Sequence, residues 1–323
     1  MGTKKAEDNV RSETTGVPGR SPSRILFPTD FSVRAAAAWP YAVGLARGGG
    51  AELHVLHVVT SWAYGVVPDG TIALSPALLD DVLTEAQGVV GELAASARVL
   101  GVETHTHTRI GEAASEIIAY AADQRVDLIV MATTGRTGMA HVVMGSVAER
   151  VVRHATCPVL TIRHDGTAAP APLTTGALPG LQQILVPLDG SELAEAVLPH
   201  LVKLAKRHGA EVTLLRVTHA HALRESELVD AQVRVVQEAE TYLAGVERRL
   251  AAEGVRESAV VRYGEAPEEI LDDIRSRRPD LVAMGTHGRT GLTHLVLGSV
   301  AEQVLRASPV PVLLFPARAL RTA

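Results

Sequence analysis

The sequence predicts two tandem, doubly wound α/β domains, each a five-stranded parallel sheet with helices on both faces. Three observations lead there. At roughly 150 residues per domain, the 323 residues suggest two domains, and 46% hydrophobic with 21% charged residues is the composition of an ordinary globular chain. The chain also repeats itself: ILFPTDFS at Ile25 to Ser32 returns as ILVPLDGS at Ile184 to Ser191, GRTG at Gly135 to Gly138 as GRTG at Gly288 to Gly291, and GSVAE at Gly145 to Glu149 as GSVAE at Gly298 to Glu302. Within each repeat, short apolar runs alternate with longer amphipathic ones. Neighbouring parallel strands need crossover connections, and the amphipathic segments supply them as helices.

The first strand candidate is Arg24 to Phe27, with Asp30 just past it. The helical segment that follows contains Pro40, matched by Pro199 in the second repeat, and a proline there marks either a kink or a late helix start. Glu52 to Val59 is the second apolar run. Between Val59 and Gly101 the offset between the repeats falls from 159 to 153 residues, so the first half carries about six extra residues, among the turn formers Gly65, Pro68, Asp69 and Gly70. A surface loop absorbs such a change at least cost. Strand candidates Thr104 to Arg109, Leu128 to Ala132 and Val159 to Arg163 then alternate with helical periodicity at Ala113 to Asp123 and Val147 to His154. The implied organisation is a polar, mobile tail over 1–22, a first domain over 23–164, a linker rich in Gly, Ala, Pro and Thr over 165–180, a second domain over 181–316 and a short tail over 317–323.

Charge and cysteine usage narrow the function classes. Thirty-one Lys+Arg against 36 Asp+Glu leave a formal charge of -5 without a basic run, which gives a nucleic-acid groove or a polybasic membrane patch no support. The single cysteine, Cys157, cannot close an internal disulfide and reads as a small buried apolar residue in a reducing compartment. The first 20 residues lack an apolar h-region, and no apolar run approaches the ~20 residues that a bilayer needs. A soluble, cytoplasmic protein is expected.

In an open doubly wound sheet, ligands sit beyond the carboxyl ends of the strands, where the strand order reverses. Asp30 and Asp189 fall just past the first strand of each repeat, and a glycine-rich segment falls just past the fourth. In the second repeat that segment is Gly285-Thr-His-Gly288, nine residues, then Gly298-Ser299 and an apolar-periodic helix. Ser146 with Glu149, and Ser299 with Glu302, have the S-x-x-E spacing of a capping box. A helix N-terminus offers unpaired N–H groups and a partial positive charge, and glycines allow close backbone approach, so the arrangement can hold phosphate without a lysine. Taken singly, the same residues are a helix start and a set of turns; the layout occurs twice, each time opposite an Asp.

The pattern G-x-x-G-x9-G-[ST], the P-x-D-x-S element after the first strand and the closing C-P-V-L or V-P-V-L strand together resemble the universal stress protein family, in its tandem form and of the ATP-binding type. The likeness covers nearly all of the chain outside the tail and linker. It implies Rossmann-like domains of strand order 3-2-1-4-5 and bound ATP, with or without Mg. Carried over residue by residue, it implies that Asp189 and Val217 meet the adenosine portion in the second repeat, while Gly285, Gly288, Gly298 and Ser299 hold ribose and phosphates. The matches in the first repeat are Asp30, Val58, Gly135, Gly145 and Ser146, and the flanking Thr29, Met131, Val147, Leu188, Met284 and Val300 complete the implied set. One departure stands out: Ala132 occupies the place of Gly285. If that position is left-handed, alanine costs about 1 to 2 kcal/mol; if it is extended, the difference is a methyl group facing the ligand.

Other residues carry less. His105 and His107 share one strand face and could hold a metal, but no Cys or carboxylate is evidently placed to complete the set, whereas His54 and His57 point to opposite faces. His219 and His221 follow a strand end. Arg136 and Arg289 are candidates for reaching phosphate. The leading reading is a nucleotide-dependent stress-response or signalling protein. Behind it stand an interaction module with degenerate nucleotide sites and a slow ATPase. Neither repeat has a GxxxxGK[ST] loop, and no catalytic residue is assigned. The last strands, Pro158 to Ile162 and Pro311 to Phe315, are uncharged edges in that strand order, so they are expected to pair with each other, leaving other surfaces for any homodimer and for protein partners.

Overall fold

A computed structural model describes residues 23–60, 76–133, 144–163, 181–219, 225–286 and 297–321. The tail 1–22, the linker 165–180, the turn formers Gly65 to Gly70 and His221 lie outside the described residues. The first half runs β1 (Arg24–Thr29), α1 (Val33–Ala36), α2 (Trp39–Gly49), β2 (Glu52–Thr60), α3 (Pro76–Val99), β3 (Thr104–Gly111), α4 (Ala113–Asp123), β4 (Leu128–Ala132), α5 (Ser146–His154) and β5 (Val159–Ile162). The second half repeats it as β6 (Gln183–Pro187), α6 (Glu192–Glu195), α7 (Leu198–His208), β7 (Glu211–Thr218), α8 (Glu225–Ala252), β8 (Arg256–Tyr263), α9 (Ala266–Arg277), β9 (Leu281–Gly285), α10 (Ser299–Ala307) and β10 (Val312–Phe315), followed by α11 (Ala317–Arg321).

All ten strands form one sheet, ordered β3-β2-β1-β4-β5-β10-β9-β6-β7-β8. Each half therefore has the order 3-2-1-4-5, parallel throughout. The halves join where β5 meets β10 antiparallel, with Leu160 opposite Leu313 and Thr161 opposite Val312. The Thr161 hydroxyl donates to the Val312 carbonyl at 3.0 Å, and Arg163 Nη1 donates to the Arg306 carbonyl at 3.2 Å. The expected pairing of the two uncharged edges is present.

Helices cover both faces, so strand interiors are apolar almost without alternation, as in β1, where every residue after Arg24 is buried. One core cluster gathers Ile25, Phe27, Trp39, Leu53 and Leu160 with Leu214, Leu313 and Phe315; the other gathers Leu26, Leu56, Tyr120, Ile129 and Val159 with Leu215, Val304 and Leu314. Both cores run unbroken across the β5–β10 seam. Cys157 is buried in the second, and burial, followed by the nearby Asp127 charge, pushes its thiol pKa up to about 12, which makes it an inert core residue.

Local signals explain the helix boundaries. Ser32 and Ser191 cap α1 and α6 by accepting from Ala35 N and Ala194 N at 3.0 and 3.1 Å. Pro40 and Pro199 fall in the first two positions of α2 and α7, where a missing N–H removes no intrahelical bond; they mark late helix starts. Among the described residues, no helix is long and apolar enough to cross a membrane.

Ion pairs also cross the seam. In α5, Arg153 lies 2.6 Å from Glu149, and in α10, Arg306 lies 2.8 Å from Glu302; across the seam, Arg153 approaches Glu302 at 3.9 Å and Arg306 approaches Glu149 at 4.0 Å. These half-exposed pairs add little individually. The apolar seam is the stronger element. Leu160→Lys combined with Leu313→Lys would place two like charges opposite each other in the core, and should destabilise the chain by at least about 3 kcal/mol. Thermal unfolding and small-angle scattering measure this, and an unchanged midpoint with unchanged compactness would show that the seam does not hold the halves together.

Candidate functional site

Two crevices follow from the topology. β1 pairs with β2 on one side and β4 on the other, and the connections from it and from β4 lead to opposite sides, so the carboxyl ends of β1 and β4 flank an opening. β6 and β9 repeat the arrangement.

On the β1 wall, Asp30 is half-buried, and its Oδ1 accepts from Ser32 N at 3.0 Å. Asp189 makes the same turn, with Oδ1 accepting from Ser191 N at 3.0 Å and from Ser191 Oγ at 2.6 Å. The residue between Asp and Ser must turn left-handed. It is Gly190 at φ +79° in the second half and Phe31 at φ +62° in the first. Phe31 holds that conformation while stacked on His57, with ring centroids 4.1 Å apart, and His57 Nδ1 donates to the Thr29 carbonyl at 2.8 Å. In the second half Arg216 takes the place of His57: its Nη1 donates to the Leu188 carbonyl at 3.2 Å, and its guanidinium lies 5.5 Å from the Tyr242 ring centre. The two crevices thus share a backbone and differ at one wall. Phe31, His57, Gly190 and Arg216 were missed as site residues, although aligning PTDFS with PLDGS sets Phe31 against Gly190.

On the β4 wall, Gly145 is the N-cap of α5 at φ −78°, ψ 148°, and Gly298 the N-cap of α10 at φ −61°, ψ 144°; neither helix has a side-chain cap. This corrects the capping-box reading. Ser146 and Ser299 are the first helical residues, one position too late to cap. Glu149 and Glu302 donate their backbone N–H to the Gly145 and Gly298 carbonyls at 3.0 and 2.9 Å, and their carboxylates turn to the seam arginines. Each glycine N–H is pinned to the end of the neighbouring strand, Gly145 to the Thr133 carbonyl and Gly298 to the Thr286 carbonyl, both at 2.8 Å. Thr133 and Thr286 are buried, and the Thr133 hydroxyl has no hydrogen-bond partner among the described residues. These threonines, the first x of G-x-x-G, are a further pair that sequence reasoning passed over.

Ala132 and Gly285 end β4 and β9 in extended pairing with Ile162 and Phe315. The left-handed alternative for that position therefore does not apply, and the difference is a methyl group. Val58 and Val217 are half-buried near the ends of β2 and β7, and Val147 and Val300 pack partly on the second core. Met131, Met284 and Leu188 are core side chains, so only their backbone can face a ligand. Thr29 is buried behind His57. Gly135, Gly288, Arg136 and Arg289 lie outside the described residues.

A second expectation is corrected at the other end of the sheet. β2 and β3 pair with His54 opposite His105, and Glu52, two residues before His54, shares their face. A carboxylate does stand beside the histidines.

Fold and site together define a tandem doubly wound α/β protein with a glycine-capped helix start at each switch point. The model of the Universal stress protein family matches residues 22–163 and 180–316, and the chain belongs to that family, with two such domains. A universal stress protein of Methanocaldococcus jannaschii is 37% identical over 141 residues, which cover 43% of this chain and 81% of that one. One of Mycobacterium tuberculosis is 33% identical over 196 residues, 58% of this chain and 61% of that protein, so the match spans under two thirds of the relative. The crystal structure of a universal stress protein from Archaeoglobus fulgidus superposes with a TM-score of 0.67 over 91% of this chain and 98% of that one; at 23% identity, it shows the shared fold.

The left-handed turn gives a stability test. Gly190→Ala would force a Cβ into φ +79° and within 3.2 Å of Arg216 Nη1. The expected loss is about 1 to 2 kcal/mol in urea unfolding, whereas Gly145→Ala, at an ordinary φ, should cost less than half of that. Equal effects would contradict the backbone assignment.

Proposed function

We propose that the protein is an ATP-binding universal stress protein, a nucleotide-dependent stress-response or signalling protein of the cytoplasm, with domains 23–164 and 181–316 joined through 165–180. The observation that supports this most is the helix start made twice, at Gly145 and Gly298: an extended glycine, no side-chain cap, and a strand end that fixes its N–H. The following N–H groups and the helix dipole suit a phosphate chain. The buried Thr133 hydroxyl, without a partner among the described residues, suits the same ligand.

In this reading Asp30 and Val58, like Asp189 and Val217, receive the adenosine portion, while Gly135, Gly145 and Ser146, like Gly288, Gly298 and Ser299, receive ribose and phosphates. Gly285 joins the ribose and phosphate set of the second crevice, and Thr29, Met131, Ala132, Val147, Leu188, Met284 and Val300 form the walls. Bound ATP supplies the negative charge that these helix ends attract, with or without Mg. The residues that respond are one turn further on: Glu149 and Glu302, in the same helices, belong to the ion pairs across the seam. In this reading, holding the start of α5 or α10 acts on these contacts between the halves, and the chain works through nucleotide occupancy.

The Phe31–His57 stack favours a second reading for the first half alone, as an interaction module with a degenerate nucleotide site, because an aromatic side chain stands where the other crevice has Gly190. ATP should be found in the denatured extract of freshly purified protein by mass analysis. Calorimetry should give tighter binding at the second crevice, and Gly298→Val should weaken that binding by at least about tenfold, or 1.4 kcal/mol. A flat titration of the native chain, or an unaltered one for the variant, would overturn the assignment; phosphate release during the titration would identify a slow ATPase instead.

A further inference from the structure

We propose that the first half carries a transition-metal site of the zinc class, with Glu52, His54 and His105 as its ligands. The site lies where β2 and β3 begin, at the opposite end of the strands from the nucleotide crevice, and it does not depend on that reading.

Register brings the set together. The parallel pairing of β2 and β3 puts His54 opposite His105, and the two-residue period of a strand puts Glu52 on the same face as His54. One potential ligand atom from each of the three lies within 4.8 Å of the others, and among the described residues this is the single group of three or more His, Cys, Asp or Glu that meets that condition. Glu52 Oε2 and His54 Nε2 are already 3.6 Å apart. Tetrahedral zinc with bonds of about 2.0–2.1 Å spaces its ligand atoms about 3.3 Å apart, so this edge is nearly formed. The His105 side chain is 43% exposed, and its ring centroid lies 5.1 Å from that of His54.

An independent observation points to an occupant. Among the described residues, His54 Nε2 is buried with no hydrogen-bond partner within 3.5 Å, Glu52 Oε2 standing at 3.6 Å, and Nε2 of His107, two residues beyond His105 on the same face, is buried without a partner. A buried polar atom left unmatched is costly and needs a reason. The other nitrogen of His54 is occupied: Nδ1 lies 2.7 Å from the Tyr120 hydroxyl of α4, whose ring also packs against His107 at 4.9 Å. In the tautomer with Nδ1–H donating to that oxygen, Nε2 presents its lone pair towards Glu52, the arrangement by which an oxygen outside the ligand set orients a metal-binding imidazole. Arg24 Nε, 3.2 Å from Glu52 Oε2, competes for the carboxylate. It is itself anchored through Nη1 to the Gln124 carbonyl at 2.9 Å, and Glu103, 3.6 Å from His105 Nε2, adds a negative charge at the rim.

The second half supplies an internal control. At the same places it has Glu211, Thr213, Ser258, Val260 and Asp273 for Glu52, His54, His105, His107 and Tyr120. Thr213 and Ser258 are again register partners, with their hydroxyls 3.2 Å apart. The scaffold folds without the histidines, so their presence in the first half is not a requirement of the sheet. Two imidazoles and one carboxylate select Zn²⁺, and among probe ions Co²⁺, over Mg²⁺ or Ca²⁺, which prefer all-oxygen sites. Because β3 is the outermost strand, a bound ion there would tie the sheet margin to its neighbour.

The test uses the full chain, freed of metal by chelation and free of nucleotide, titrated with Co²⁺ under visible absorption and then with Zn²⁺ in competition. One Co²⁺ per chain with tetrahedral absorption bands, displaced by Zn²⁺ and accompanied by a raised thermal midpoint, is expected. His54→Thr combined with His105→Ser, which copies the second half, should weaken binding by at least about 100-fold while leaving circular dichroism unchanged. Should that variant fold poorly, His105→Ser alone, at a half-exposed position, should weaken binding by at least about tenfold. Absence of saturable Co²⁺ binding to the native chain, or a variant that binds as tightly as the native chain, overturns the site.

Discussion

Backbone pairing between β5 and β10 is the interaction on which the rest of the molecule depends. Each half ends in a short, uncharged strand that would otherwise expose a row of unpaired N–H and C=O groups at a sheet edge. Joining them antiparallel makes one sheet of ten strands and lets both apolar layers continue from one half into the other. It also brings α5 and α10 within reach of each other, and Glu149, Arg153, Glu302 and Arg306 meet as a consequence of the strand pairing.

Much of this was legible in the chain. Sheet strands buried on both faces read as apolar runs, and internal repetition fixed their correspondence, so the strand starts in the first half came within a residue of where the structure has them. What remained hidden depended on three-dimensional register or on a one-residue shift. The spacing S-x-x-E is the same whether serine is the N-cap or the first helical residue; the glycine before it decides, by taking the extended cap conformation itself. Ala132 against Gly285 drew attention because glycine suggests a left-handed turn, yet the left-handed residue is Phe31 against Gly190, three positions past a proline in both copies. Glu52 was passed over beside the histidines because strand pairing, which the sequence does not display, is what sets His54 against His105.

The two halves therefore diverge while sharing a backbone. Identical strand order and nearly identical helix starts coexist with a Phe31–His57 stack in one crevice wall and an Arg216–Tyr242 contact in the other. The same holds at the opposite strand ends, where hydroxyls face one another in one half and imidazoles in the other. In both places the differences lie in side chains, while the strand pairing around them is the same in the two halves. That distribution is what a scaffold held by its core permits: sites can change at the margins without disturbing the layers beneath.

Antiparallel joining has a directional consequence. Because β5 and β10 run in opposite senses, the carboxyl ends of the first five strands point one way and those of the second five the other. The two crevices therefore open at different ends of the sheet, with β5 and β10 between them. The seam strands separate the β1–β4 opening from the β6–β9 opening, so a change of side chains around one leaves the frame of the other untouched.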